Sequence, residues 1–414
     1  MNFEEGLVFC GSERKSFGDK ICALALALVP ILQHYKGIIE NSGFTVLLLI
    51  SPLLLLKTFN KLKVGVVNKK TFYAIIPLLL FFLYTVFVRD IDIMRLGYVL
   101  LLSLVFFSIS NGSINISLFF KYATRISILA TIAIAIQYIS HYIFRRTIDF
   151  RPLSLLVSQN VIWVKNAVNL GAIGRTYRPA GFFLEPSHFF LYSFPIIAVL
   201  LLSANNNKPR FRTALFLSLG LVLSTSGMGI AVALGLWVLY YALYRNAKNN
   251  NVMISKLLNV RTVLVLLIFG ILFLLAYQFI PFFQNSVDRI FVEDETTNAI
   301  DGRVRLAQNY VKSISGKAVW FGTPGVTQEL NFNLSGFFAT YIRWGIIGLI
   351  LSYWFYVRGL FKLKGAYFWI SLIIVFISYF TAHTHGTFYM IYFGVFLLNG
   401  YYGISLKKGT VSKF

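Results

Sequence analysis

The chain has 414 residues, of which 57 % are hydrophobic and only 13 % charged, with 38 Lys and Arg against 15 Asp and Glu and a formal net charge of +23. An ordinary soluble domain carries about 25 % charged residues, so this composition excludes one. Two cysteines, Cys10 and Cys22, form neither a zinc-type spacing nor a disulfide framework, and read as free thiols.

Apolar runs long enough for a membrane helix, roughly 20 residues, recur from Ile21 to Ile404. The short alternating segments of a β-barrel are absent. The expectation is an all-α polytopic membrane protein, a single integral membrane domain over residues 1–414. Twelve segments are predicted, at about 20–34, 43–58, 71–88, 96–110, 122–143, 183–203, 212–224, 228–244, 262–283, 335–357, 366–382 and 387–404. The first is not a signal peptide, because its small residues open the apolar run where a cleavage site would follow it.

Lys and Arg give the sidedness. With the N-terminus placed inside, 23 of the 38 fall on that side, among them Lys57, Lys61, Lys63, Lys69 and Lys70 of the first inner loop. Beyond Glu4, Glu5, Glu13 and Asp19, every acid falls outside. This positive-inside pattern predicts N-in, C-in and twelve crossings. The excess of positive charge is then a topology signal, and no nucleic acid partner is expected.

In chain order, the first long outer connection is predicted at about 144–182. It carries Arg145, Arg146, Arg151, Lys165, Arg175 and Arg178 against Asp149. Next comes "RPAGFFLEPSHFF", Arg178–Phe190. Arg178 precedes a proline and is held extended. Glu185 precedes Pro186, which suits the first helical position, so Glu185 falls at the N-cap and His188 one turn in. Two readings stand: Glu185 caps the helix and Arg178 pairs with it, or the group forms a site at the membrane surface. In the second, a carboxylate accepts a proton while arginine and the helix start hold phosphate.

Residues 213–244 are too long for one span, and "STSGMG" at Ser224–Gly229 predicts two short helices meeting at a Ser/Gly break. A second long outer connection, about 284–334, carries "VEDETT", "DGRVR" with Arg303 and Arg305, and "FGTPG". Arg343 stands about seven residues into the tenth segment, roughly 10 Å below the outer interface. It reads either as snorkelling or as facing a cavity. His383 and His385, in "TAHTHGT", have no third ligand nearby and read as a polar turn; His34 and His141 sit near outer helix ends.

On these residues the chain resembles the Wzy-type O-antigen polymerases, within the broader O-antigen polymerase and ligase superfamily. "RPAGFFLEPS" looks like that family's arginine–glycine–glutamate–proline signature, and "WGIIG" at Trp344–Gly348 is similar to its glycine pair after the last large outer loop. Arg305 and Gly316 resemble an arginine–ten–glycine motif. The ligase branch has a histidine where this chain has Asn331 and Asn333, and many relatives have an arginine where this chain has Gly227; both departures argue against the ligase.

The resemblance implies a glycosyltransferase in the bacterial inner membrane, acting at its outer face on undecaprenyl-diphosphate-linked oligosaccharides. Glu185 and Arg178 are then the expected catalytic pair. Arg175, His188, Arg303, Arg305 and Arg343 are expected to bind substrate. Arginine stands in for a metal, so neither metal nor cofactor is expected. Membrane lipids surround the protein, and a chain-length regulator is a candidate partner. The alternatives are the ligase and a lipid-linked oligosaccharide flippase. A capsule or exopolysaccharide polymerase would be chemically the same enzyme.

Overall fold

A computed structural model describes residues 16–38, 41–63, 69–88, 93–157, 177–203, 208–241, 301–323, 335–380 and 387–407, with scattered positions between 264 and 284. Over these residues the protein is all-α. The helices are α1 (Phe17–Leu32), α2 (Ser42–Lys63), α3 (Lys69–Phe87), α4 (Ile93–Ser110), α5 (Ile116–Tyr142), α6 (Pro186–Leu202) and α7 (Lys208–Leu223). They continue as α8 (Gly227–Leu239), α9 (Asp301–Ser313), α10 (Lys317–Phe321), α11 (Gly336–Lys362), α12 (Ala366–Phe380) and α13 (Thr387–Lys407). Three of them, α2, α5 and α11, are long and apolar enough to cross a membrane, and shorter apolar stretches occupy α3, α4, α6, α8, α12 and α13. Helices stand at eleven of the twelve predicted segments; the ninth, 262–283, lies outside the described residues apart from isolated positions.

Local chemistry sets the helix starts. Ser16 and Asp19 form a capping box on α1, the Ser16 hydroxyl accepting from the Asp19 N–H at 3.2 Å and the Asp19 carboxylate accepting from the Ser16 N–H at 2.9 Å. Asn115 caps α5 by accepting from the Leu118 N–H at 3.0 Å. Two predicted boundaries need correction. α2 runs to Lys63, so Lys57 and Lys61 lie on its last turns rather than in a loop, and the Lys57 ammonium donates to the Asp19 carboxylate. α5 begins at Ile116, before the predicted 122, so Lys121 is helical as well. Long basic side chains are good helix formers and can extend their charge away from an apolar helix.

The centre of the bundle is α6 with α13. On α6, Pro186 and every residue from His188 to Leu202 are buried. Tyrosines stitch the two together. The Tyr392 hydroxyl donates to the Tyr192 carbonyl at 2.8 Å, and the Tyr192 hydroxyl donates to Ala27 of α1 at 2.8 Å. The Tyr389 hydroxyl donates to the His188 carbonyl at 3.1 Å. Each hydroxyl thus finds a partner inside an apolar core, where an unmade bond costs most. Ring contacts of Tyr98 with Phe44 (4.9 Å) and Phe388 (6.5 Å) bring the starts of α2, α4 and α13 to one end of the bundle. To one side, α3 and α11 run antiparallel. The Tyr84 hydroxyl donates to Trp344 at 2.9 Å near one end, and Arg358 donates to the Tyr73 carbonyl at 2.7 Å near the other.

Candidate functional site

The segment before α6 is pinned from two sides. Gln137 of α5 is fully buried. Its amide oxygen accepts from the N–H groups of Ala180 (3.1 Å) and Gly181 (2.7 Å), and its amide nitrogen donates to Gly181 (3.3 Å) and Ile148 (3.2 Å). Gly181 has φ +63°, and a Cβ there would stand 3.1 Å from the Ala130 carbonyl oxygen, so the turn onto α5 needs glycine. On the other side, Arg151 grips Asp149 with two guanidinium bonds of 2.7 and 2.9 Å and donates a third to the Leu184 carbonyl at 2.9 Å. One of the loop arginines is therefore a buried strut, not a solvated charge. Tyr142 donates to the Tyr177 carbonyl at 2.8 Å, and Tyr177 donates to Ile148 at 3.3 Å. Burial pushes the Tyr177 phenol up to about 12, against the pull of the nearby Arg151, so it is a neutral donor at ordinary pH.

The loop before this segment is itself tied down. Residues 154–157 lie against the turn after α1. Lys36 donates its N–H to Leu155 at 2.7 Å, Val157 donates to His34 at 3.2 Å, and Tyr35 pairs with Leu156. The Tyr35 hydroxyl donates to the Phe182 carbonyl at 3.3 Å. Burial raises its phenol as well.

This frame places the predicted residues. Glu185 is the N-cap of α6, with φ −139° and ψ 159°, yet its side chain makes no cap hydrogen bond. The Ser187 hydroxyl donates to its carboxylate at 2.9 Å instead. The capping reading of Glu185 is corrected accordingly: the position is a cap, but the carboxylate is engaged sideways. Arg178 extends to the Thr225 carbonyl at 3.5 Å. Thr225 belongs to the break between α7 and α8 and has φ +53°, rare for a threonine. Two helices meet at the Ser/Gly break, as the sequence predicts, and the break meets the arginine of the opening motif. His188 is fully buried and stacks on His34 with ring centroids 4.5 Å apart and planes 7° from parallel. His188, one turn after Glu185, shares a site with His34 and Tyr389, and Arg178 ties the opening motif to the break at Thr225.

The other predicted residues are elsewhere. Arg175 lies outside the described residues. Arg303 and Arg305 stand on α9, whose Ala307, Tyr310 and Val311, with Ile314 just beyond it, pack on Phe338 and Ile342 of α11 and on Tyr379 of α12. Arg343 is exposed on α11, two residues before a kink at Gly345 with φ +65°. The kink follows Arg343, so the stretch from Gly336 to Arg343 is unbroken helix. His383 and His385 lie outside the described residues.

Sequence reasoning missed Gln137, the role of Arg151, and the partnership of His34 with His188. Gln137 carried a signal, since a polar side chain inside an apolar helix needs partners. His34 carried none, because its partner is 154 residues away in the chain. The helices and composition define an all-α protein of the membrane class. No protein-family model and no curated protein matches the chain.

Proposed function

We propose that this protein is a membrane glycosyltransferase that polymerises surface polysaccharide, of the O-antigen polymerase kind. It joins undecaprenyl-diphosphate-linked oligosaccharides at the outer face of a bacterial inner membrane. The observation that supports this reading best is the engagement of Glu185: a carboxylate at a helix start that accepts from Ser187 instead of capping the helix, in the same motif as an arginine that reaches unwound backbone. A terminal hydroxyl of the acceptor attacks the anomeric carbon of the donor sugar. The new carbon–oxygen bond forms as the bond from that carbon to the diphosphate oxygen breaks, and the lipid diphosphate departs with the electron pair. Glu185 takes the hydroxyl proton, a role worth roughly 10²–10⁴ in rate. Arg178 and the start of α6 stabilise the charge growing on the diphosphate. Arg303 and Arg305 are further substrate-binding residues in this proposal.

The test is Glu185→Gln and Arg178→Ala in a strain lacking the native chain, read on a lipopolysaccharide gel with protein levels checked. The expected result is lipopolysaccharide carrying single repeat units. A full ladder from both variants overturns the assignment. Bare core with long chains left on the lipid carrier would indicate the ligase, and no units outside would indicate a flippase.

A further inference from the structure

A second place at the same end of the bundle collects positive charge and aromatic surface. It is built by two glycines that the sequence shows far apart, in "FGTPG" and "WGIIG". Gly322 has φ +75°, and a Cβ there would lie 2.4 Å from Arg343 backbone; Gly345 has φ +65°, and a Cβ there would lie 2.2 Å from the Trp320 carbonyl oxygen. Backbone lies directly on backbone, so α10 is locked to the kink of α11. Carbonyls at the break still find donors. Thr323 gives its N–H to Ile342 at 2.7 Å, and Tyr84 gives its hydroxyl to Trp344 at 2.9 Å.

The lock fixes a ledge. Lys317 and Arg343 are exposed on it, and so are Trp320 (54 %) and Phe321 (47 %). From it runs an apolar seam. α11 exposes Ile350 and Trp354, one turn apart, and the packed α3 exposes Leu80, Leu83 and Phe87, spaced for one helix face. No Asp or Glu occurs on α3, α10 or α11. Cations with tryptophan above an apolar seam suit the headgroup level of a membrane, and two cations match a diphosphate better than a monoester.

Polymerisation engages two lipid diphosphates at once. The donor's is the leaving group at the reacting carbon. The acceptor's is not broken, and an oligosaccharide separates it from the reacting hydroxyl, so it needs its own place. Resting on the function proposed above, we infer that the ledge of Lys317, Trp320 and Arg343 holds the diphosphate of the acceptor lipid, with its polyprenyl chain along the α3–α11 seam. The group around Arg178 and Glu185 holds the donor.

The experiment counts lipids. The full-length protein, in nanodiscs of phosphatidylcholine, is loaded with undecaprenyl diphosphate and ejected into a native mass spectrometer. The wild type is expected to retain two copies, and the double variant Lys317→Gln/Arg343→Gln one. Both side chains are exposed, and an unchanged unfolding midpoint would show that the variant is folded. Arg178→Ala should also retain one, and adding its change to the double variant should leave none. In the wild type, inorganic pyrophosphate, which lacks the chain, should not displace the ledge-bound copy, and phosphatidylglycerol at equal mole fraction should not either. Two copies retained by the double variant overturn the inference. So does replacement by phosphatidylglycerol, which would make the ledge a general anionic-lipid anchor. Either result leaves the glycosyl-transfer reading to the ladder assay, which does not depend on the ledge.

Discussion

At the scale of single residues, Gln137 governs the site although it touches neither Glu185 nor Arg178 in any described hydrogen bond. Its one amide oxygen serves two buried N–H groups, Ala180 and Gly181. Gln137→Ala removes that acceptor without supplying another. A buried donor left unmade costs about 1–3 kcal/mol, so the variant should lose stability of that order for each of the two. The expected outcome is a lowered thermal unfolding midpoint of the detergent-solubilised protein and loss of the polysaccharide ladder with Glu185 intact. An unchanged midpoint would show that α5 does not hold this segment. The motif around Glu185 was legible in the sequence because proline, glycine and charge stand next to one another there. Its support was not, because Gln137 is 43 and 44 residues before the N–H groups it serves, and only the packing of α5 against the 177–184 segment joins them.

At the scale of elements, the kink in α11 is the informative departure from an ideal helix. Gly345 adopts φ +65° and ψ −167°, a region that essentially only glycine occupies. Gly345→Ala should cost about 1–3 kcal/mol from backbone strain alone, and more from the contact with Trp320. We expect α10 to detach, seen as faster proteolysis within 314–323 and a lower unfolding midpoint. Proteolysis and midpoint matching the wild type would mean that the kink does not depend on glycine. Composition made the glycines of "FGTPG" and "WGIIG" conspicuous. It could not show that they face each other, because close approach of two backbones leaves no mark in either local pattern.

At the scale of the whole molecule, the distribution of Lys and Arg predicts which end of the bundle faces outward. The end that carries Glu185, the 154–157 segment and the start of α13 should be outside, and the end with Lys57 and Lys61 inside. With Cys10 and Cys22 replaced by serine, Ser154→Cys should react with a membrane-impermeant maleimide in intact spheroplasts. Lys61→Cys should react only after permeabilisation. The reverse pattern would invert the topology and place the proposed site on the cytoplasmic side, where the polymerase reading fails.

What the sequence determined by itself was the class of protein and the placing of its helices. Long apolar runs have one stable outcome in hydrocarbon, a helix that satisfies its own backbone, and prolines, glycines and caps mark where each begins. It also determined that charge at Arg178 and Glu185 is out of the ordinary. Only the tertiary structure decided what that charge does. Whether Glu185 caps a helix, whether Arg151 is solvated or buried, and whether His34 meets His188 all depend on contacts between segments tens to hundreds of residues apart. Such contacts follow from how helices pack, and the local pattern of one chain segment holds no information about its neighbour in space.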